Sequence, residues 1–295
     1  MDFSPYYTQE YLRDFAKKIR MPEDAVRVVL EQMPALELKT VNELCSFLLD
    51  GAFSFQEKVE KMKEIVSVPA GDLRCILLYM TASGPLKKRY EEKKIPDEIF
   101  YDSMNSMVEK METFYKFHGF WGCASFAWPI RHLSFGMFRC ERLAFCIAIH
   151  SEPDAVYRGK TYLSTGEPYL QIHIPDNDPF DHALVLRSYD KARWFFKTYF
   201  PEESRNIRYF RCRSWLLFDG LKELLPPQSN ILRFQGDFEM VDQLETPPDD
   251  VLNRLFGSVK QNLDEYHPVT SLQINTIAYL KAGKKLGSGV GFIPF

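Results

Sequence analysis

The sequence predicts an α/β (α+β) fold in two parts, a helical N-terminal stretch followed by a mixed sheet with interleaved helices. Three observations carry that expectation. Residues 1–95 are punctuated as consecutive short helices, a longer helix opening at Pro96 has its apolar residues at three- and four-residue steps, and from about Met137 the texture changes to short strands. The composition suits a chain that buries a real core: 295 residues, 45% hydrophobic and 26% charged. Rings should fill much of that core, since 24 Phe, 15 Tyr and 4 Trp make up 15% of the chain. With 37 basic against 40 acidic residues, the formal charge of −3 argues against a dedicated nucleic-acid binder.

The elements follow in order. Pro22, Glu23 and Asp24 read as the first turn of a helix through Met33, because acids suit the positive end of the dipole. Thr40 and Glu43 have capping-box spacing with Gly51 closing the helix, and Ser54 and Glu57 repeat the device. Helices are expected over 71–82 and 86–93. The helix from Pro96 ends at Gly119 and carries a stripe of Phe100, Met104, Met107, Met111, Phe114 and Tyr115. Strands are then expected in MFRCERLAFCIAIH, VYRGKTYL and EPYLQIHIP, a helix from Pro179 to Tyr199, and a strand in NIRYFRCRSWLLF. A short helix (DGLKELLP), a strand (ILRFQGDFEMV), a helix over 249–256 and a last helix, TSLQINTIAYLKAG, complete the reading. These elements group as a helical domain over 1–95 and a mixed-sheet domain over 96–295.

No segment reaches the roughly 18 to 20 apolar residues of a membrane helix, and MDFSPYYTQEYLRDF lacks the order of a secretory signal, so a cytoplasmic protein without membrane contact is expected. The six cysteines form no C-x-x-C pair and the histidines have no metal-ligand spacing, so no metal is assigned.

The informative unit is the strand YLQIHIP, the turn DND and the helix that follows. Alternation puts Gln171 and His173 on one face and Leu170, Ile172 and Ile174 on the other, with His173 near a strand end, where open α/β sheets bind ligands. An imidazole there suits general base catalysis; a core histidine bonded to a backbone carbonyl is the bland alternative. On the next strand, Phe210, Cys212, Ser214 and Leu216 share a face, so a thiol and a hydroxyl are expected to meet His173 across the sheet. Packing is the default for Cys212, and local backbone bonding for Ser214. Ser229 and Asn230 fit a turn or cap, with reach toward a ligand as the alternative. In KAGKKLGSGVGF, Gly283 reads as a helix C-cap, and the GSGVG stretch opens no helix, so it is a weak phosphate motif.

The stretches FRCERLAF, YLQIHIP, FFKTYFPE, FRCRSWLL, SNILRFQGDFE and TSLQINTIAYLKAGKKLGSGVGF, in order over about 138 to 292, resemble a bacterial family of GNAT-like acyltransferases. In that family a helical N-terminal domain precedes a GNAT-like C-terminal domain. The resemblance implies acyl transfer, acetyl first, from a coenzyme A thioester to an amine on a small molecule or peptide. It also implies two splayed parallel strands whose gap takes the pantetheine arm. Mapped here, YLQIHIP is the pantetheine-side strand and FRCRSWLL its partner, so the wedge should open between the segments containing Gln171 and Arg211. His173 is then the base, with Cys212 and Ser214 beside the thioester. Gln171, Ile172, Ile174, Asn177, Ser188, Lys284 and Lys285 are expected on the cofactor, and Trp215, Ser229 and Asn230 on the substrate.

One departure stands out. The family's glycine-containing pyrophosphate loop is replaced by DNDPFD, with Asp176, Asp178 and Asp181, and Asp178 is placed to cap the helix with Pro179 at its first position. That acidic turn favours a rival reading, a non-catalytic module that keeps the fold and binds a small molecule or peptide.

Overall fold

The computed structural model describes residues 1–65, 72–176 and 180–295. Its contacts divide the chain into two units, Met1–Cys140 with Ile174–Asp178, and Glu141–His173 with Pro179–Phe295.

The first unit holds helices α1 (Gln9–Lys18), α2 (Glu23–Leu30), α3 (Leu38–Leu49), α4 (Phe55–Lys63), α5 (Arg74–Glu92), α6 (Asp97–Met104), α7 (Ser106–His118) and α8 (Trp128–Leu133), then strand β1 (Phe138–Cys140). It runs past residue 95, the expected boundary, because α6 and α7 bury the same apolar stripe that the sequence shows. Phe100, Met104, Met107, Met111 and Phe114 are all buried, whereas Tyr115 is exposed. The stripe is interrupted at Asn105, whose side-chain amide donates to the Ile19 carbonyl at 2.6 Å. Gly119 ends α7 in the left-handed conformation, with φ 75°.

Ser54 caps α4 in a complete capping box with Glu57. Thr40 does not cap; α3 begins two residues before it, after Glu37. The two helices expected on either side of Pro85 are one, α5, with the proline inside it. A proline in a helix interior costs about 3 kcal/mol. Burial outweighs that cost here, since every residue from Cys75 to Gly84 is buried and the Thr81 and Ser83 hydroxyls bond back to the Leu77 and Tyr79 carbonyls at 2.8 Å.

The second unit contains β2 (Leu143–Ile149), β3 (Ala155–Tyr157), β4 (Lys160–Leu163), β5 (Pro168–His173), α9 (His182–Tyr199), α10 (Pro201–Ser204), β6 (Tyr209–Ser214), α11 (Asn230–Gly236), β7 (Glu239–Glu245), α12 (Asp249–Phe256), α13 (Ser271–Lys281) and β8 (Gly287–Pro294). Its main sheet runs β2-β5-β6-β8-β7, and β3 and β4 form a separate hairpin. Among the described residues β5 and β6 run parallel, whereas β2–β5, β6–β8 and β7–β8 are antiparallel.

Register assigns the two faces. One presents Phe145, Leu170, Ile172, Phe210, Cys212 and Ser214 toward α9, with Phe210 packed between Phe145 and Tyr189 at ring-centroid distances of 5.6 and 5.8 Å. The other presents Cys146, Tyr169, Gln171, His173, Arg211 and Arg213; its lower end is sealed by the hairpin, where Tyr162 stacks on Phe292 at 5.0 Å.

Two expectations fail in this unit. ILRFQGDFEMV is not one strand: Ser229 caps helix α11, and the strand starts only at Glu239. The tail GSGVGF is the strand β8, between β6 and β7. An ideal Cβ on Gly289 would sit 2.2 Å from the Leu217 carbonyl oxygen, and one on Gly287 would sit 2.2 Å from that of Leu244. Close backbone approach, rather than phosphate binding, therefore explains these glycines. Gly283 follows α13 with φ 76°, as a closing glycine should.

Candidate active site

The site begins with an incomplete ladder. β2 and β5 pair through six residue pairs, Ala144↔His173 to Ile149↔Pro168, and β6 and β8 pair through six as well. β5 and β6 pair only at Leu170↔Phe210 and Gln171↔Arg211. Beyond that point the strands part, leaving Ile172 and His173 on one side of a wedge and Cys212, Arg213 and Ser214 on the other.

The hydrogen-bond parity shows which backbone groups open into the wedge. The His150 amide donates to the Glu167 carbonyl at 2.9 Å, just beyond the Ile149↔Pro168 pair. In an antiparallel ladder the bonded positions alternate, so odd residues of β5 turn their backbone groups to β2 and even residues turn theirs to β6. The Ile172 amide therefore closes the last rung onto the Arg211 carbonyl, and the carbonyl of Ile172 faces the wedge. The Ile172 carbonyl accepts instead from Gln171 Nε2 at 3.1 Å.

His173 stands at the end of β5 on the face away from α9, and its Nε2 lies 3.2 Å from Sγ of Cys146 on β2. Both side chains are half-buried. On the same face, Arg211 donates to the Glu152 carboxylate at 2.7 Å and to the Tyr169 hydroxyl at 3.1 Å, and Arg213 lies 3.9 Å from Glu152.

The expected trio of His173, Cys212 and Ser214 is not brought together. Parallel register puts Gln171 beside Arg211, so His173 shares its face with Arg213, and Cys212 and Ser214 point to the opposite face. Cys212 is buried, and burial pushes its thiol up to about 12, which keeps it from being a thiolate at neutral pH. The Ser214 hydroxyl accepts from the Leu216 amide at 3.1 Å and caps a single 3-10 turn, Trp215–Leu217. Trp215 is half-buried in that turn.

The other expected contacts divide. Gln171 and Ile172 line the wedge, while Ile174 lies past the end of β5, in the segment grouped with the first unit. Ser188 is fully buried; its hydroxyl accepts from the Arg142 and Leu143 amides at 3.0 and 3.2 Å and donates to the Leu184 carbonyl at 2.8 Å. A hydroxyl has one donor and two acceptor positions, so none is left for a cofactor. Ser229 bonds the Ile231 amide at 3.2 Å as a cap, and Asn230 is exposed at the first position of α11. Lys284 and Lys285 are exposed and paired with Glu223 and Glu245. Asn177 lies outside the described residues, as do Asp178 and Pro179 with their expected capping roles.

The helix after the turn begins at His182, and Asp181 caps it by accepting from the Ala183 amide at 2.8 Å. Asp176 is ion-paired with Lys110, whose ammonium also lies 5.1 Å from the centre of the Trp128 ring. His182 donates toward both oxygens of Asp237 at 2.9 and 3.0 Å, and the Tyr189 hydroxyl donates to the same carboxylate at 3.2 Å. Burial raises the Asp237 carboxyl above its usual range, against the opposing pull of His182. Among the described residues, no group of three or more His, Cys, Asp or Glu is arranged to hold a metal, and no helix is long and apolar enough to cross a membrane.

Sequence reasoning missed Cys146. Alternation in LAFCIAI shows which residues share its face, but only register across β2 and β5 reveals His173 as its neighbour.

A helical first unit followed by a mixed sheet with an unzipped parallel pair can be compared with known families. Residues 10–135 match the N-acyltransferase N-terminal domain, and residues 131–293 match the GNAT-like C-terminal domain. The chain belongs to this GNAT-like acyltransferase family. No curated protein matches it. Among solved structures, it is similar to an acyltransferase in complex with decanoyl-CoA and teicoplanin, at 23% identity and TM-score 0.76, with 97% of this chain and 88% of that one covered. An acyltransferase in complex with decanoyl-CoA matches at 22% identity and TM-score 0.74, over 96% and 87% of the two chains. An acyltransferase mutant in complex with octanoyl-CoA matches at 23% identity and TM-score 0.76, over 97% and 88%. At such identities the likeness shows the GNAT-like fold.

Proposed function

We propose that the protein transfers an acyl group from a coenzyme A thioester to an amine, with the pantetheine arm in the wedge between β5 and β6 and His173 as general base. The observation that supports this reading is the two-pair ladder, which leaves the carbonyl of Ile172 turned into an open gap. A pantetheine amide can take the place of the missing strand and displace Gln171 from the Ile172 carbonyl. Holding amine and thioester together supplies about 7 to 11 kcal/mol of the barrier. A positioned base adds a factor of roughly 10² to 10⁴.

The acidic turn is a smaller obstacle than its composition suggests. Asp176 is neutralised by Lys110, and Asp181 is occupied as a cap. Because that cap takes an amide a phosphate would otherwise use, side chains must supply part of the anion binding. Lys284 and Lys285 precede β8, whose Gly289 pairs with Ser214, so they lie at the end of the sheet where the wedge opens. Their exposed ion pairs are worth only about 0 to 1 kcal/mol and exchange readily for a phosphate.

Acyl groups of medium length fit the comparison better than acetyl, since the similar structures hold decanoyl-CoA and octanoyl-CoA. The acceptor class is a small-molecule or peptide amine, a reading supported by the similar acyltransferase that holds teicoplanin together with decanoyl-CoA. Calorimetry with acetyl-CoA and decanoyl-CoA tests the reading. Saturable heat is expected, stronger for decanoyl-CoA; no heat and no thermal shift with either would leave only the non-catalytic module. With an accepted amine, His173→Ala should lower turnover by about a hundredfold or more while acyl-CoA affinity stays nearly constant. Unchanged turnover would reject His173 as the base.

A further inference from the structure

A general base works only within hydrogen-bond reach of the proton it removes, about 2.6 to 3.2 Å or through one water. With His173 as that base, the reacting amine comes to the sheet face away from α9, and the charged side chains of that face bear on the rest of the acceptor molecule. The hairpin seals the lower end of the face, and beside the wedge Arg211, Arg213 and Glu152 meet.

One carboxylate stands there against two guanidinium groups. Arg211 is buried and fully engaged with Glu152 at 2.7 Å and the Tyr169 hydroxyl at 3.1 Å. Arg213 reaches the same carboxylate only at 3.9 Å, beyond hydrogen-bond length, and is exposed although β6 is an inner strand between β5 and β8. The β8 neighbours of Arg213 and Arg211, Val290 and Phe292, are apolar and buried. Asp242 pairs with Val290 from β7, so it stands two strand spacings from Arg213, roughly 9.6 Å, and competes weakly for it. One positive charge is left over, on a planar fork that suits a carboxylate.

We propose that Arg213 selects acceptors that carry a carboxylate as well as the reacting amine; this rests on the acyl-CoA reading above, with His173 as base. Register sets the spacing. Arg213 lies two residues past Arg211, as His173 lies two past Gln171, so the two side chains start on opposite banks of the wedge, more than roughly 4.8 Å apart. The guanidinium turns back toward the carboxylate that Arg211 also holds, a displacement of up to two strand residues, roughly 6.6 Å. An amine and a carboxylate about 5 to 8 Å apart fit that interval, the span of an ω-amino acid rather than of an α-amino acid.

The full-length protein, given decanoyl-CoA, should acylate 6-aminohexanoate with kcat/KM at least about tenfold higher than for 6-aminohexanamide, which has the same length and no anionic group. Arg213→Gln should bring the two values together, with the loss falling on KM for the carboxylate, and Arg213→Lys should keep part of the preference. Glu152→Gln removes the competing charge while leaving Arg211 an acceptor, so it should widen the preference. Equal values in the unaltered protein, a preference that survives Arg213→Gln, or no acylation of either amine by protein that shows a thermal shift with decanoyl-CoA would overturn the role of Arg213 and leave acyl-CoA binding standing. No thermal shift with decanoyl-CoA would remove the acyl-CoA reading and this proposal with it.

Discussion

The Ser188 hydroxyl makes one donated and two accepted hydrogen bonds inside the protein, and that accounting separates a structural role from a cofactor contact. Ser188→Ala strands two buried amides, so a loss of about 1 to 3 kcal/mol is expected in denaturant unfolding, with acyl-CoA affinity unchanged. A large loss of affinity in a fully folded variant would return the residue to the cofactor site. Cys212 offers a second test at this scale. With its thiol pushed up to about 12 by burial, it should resist iodoacetamide at neutral pH while Cys146 is alkylated. Labelling of Cys212 before Cys146 in the native protein would contradict the assignment of faces. His173 was legible in the sequence because strand alternation and a strand end are local properties. Its neighbours were not: which of Cys146, Cys212 and Ser214 it meets is decided by register between strands far apart in the chain.

At the scale of elements, β8 depends on backbone contacts that side chains would block. Gly289→Ala would drive a Cβ into the Leu217 carbonyl, which belongs to backbone and cannot swing away, so a loss of about 1 to 3 kcal/mol or more is expected as a lower melting temperature. A neutral result would mean that the 3-10 turn does not lie on β8. The turn leading into β5 is held electrostatically. The Ser164 amide, at 2.8 Å, and then Arg208, at 2.7 Å, hold the Glu167 carboxyl below its usual range. A depressed carboxyl contributes stability above its unfolded pKa and loses it as pH falls through the folded one. The acid limb of a melting-temperature profile should therefore be less steep for Glu167→Gln, and an identical limb would assign no role to this carboxylate.

Elements with local punctuation were readable: the Ser54 and Glu57 capping box and the Gly119 terminus both fall where spacing put them. The Pro85 helix and the glycine strand were not, because burial overrides proline in one and close packing replaces β propensity in the other.

For the molecule as a whole, the order of a helical part and a mixed sheet was visible in composition and periodicity, and so was the strand pair expected to splay. How far it splays was not, since a missing hydrogen bond leaves no trace in side-chain pattern. Binding in the wedge depends on the carbonyl of Ile172 opening toward β6 beyond the last rung of the ladder. A crystal structure of the protein with decanoyl-CoA tests this most directly. It should show the pantetheine arm running along β5, one of its amide groups bonded to Ile172 and Gln171 turned away from that carbonyl. Coenzyme A bound elsewhere, with β5 and β6 zipped together beyond Gln171 and Arg211, would contradict it.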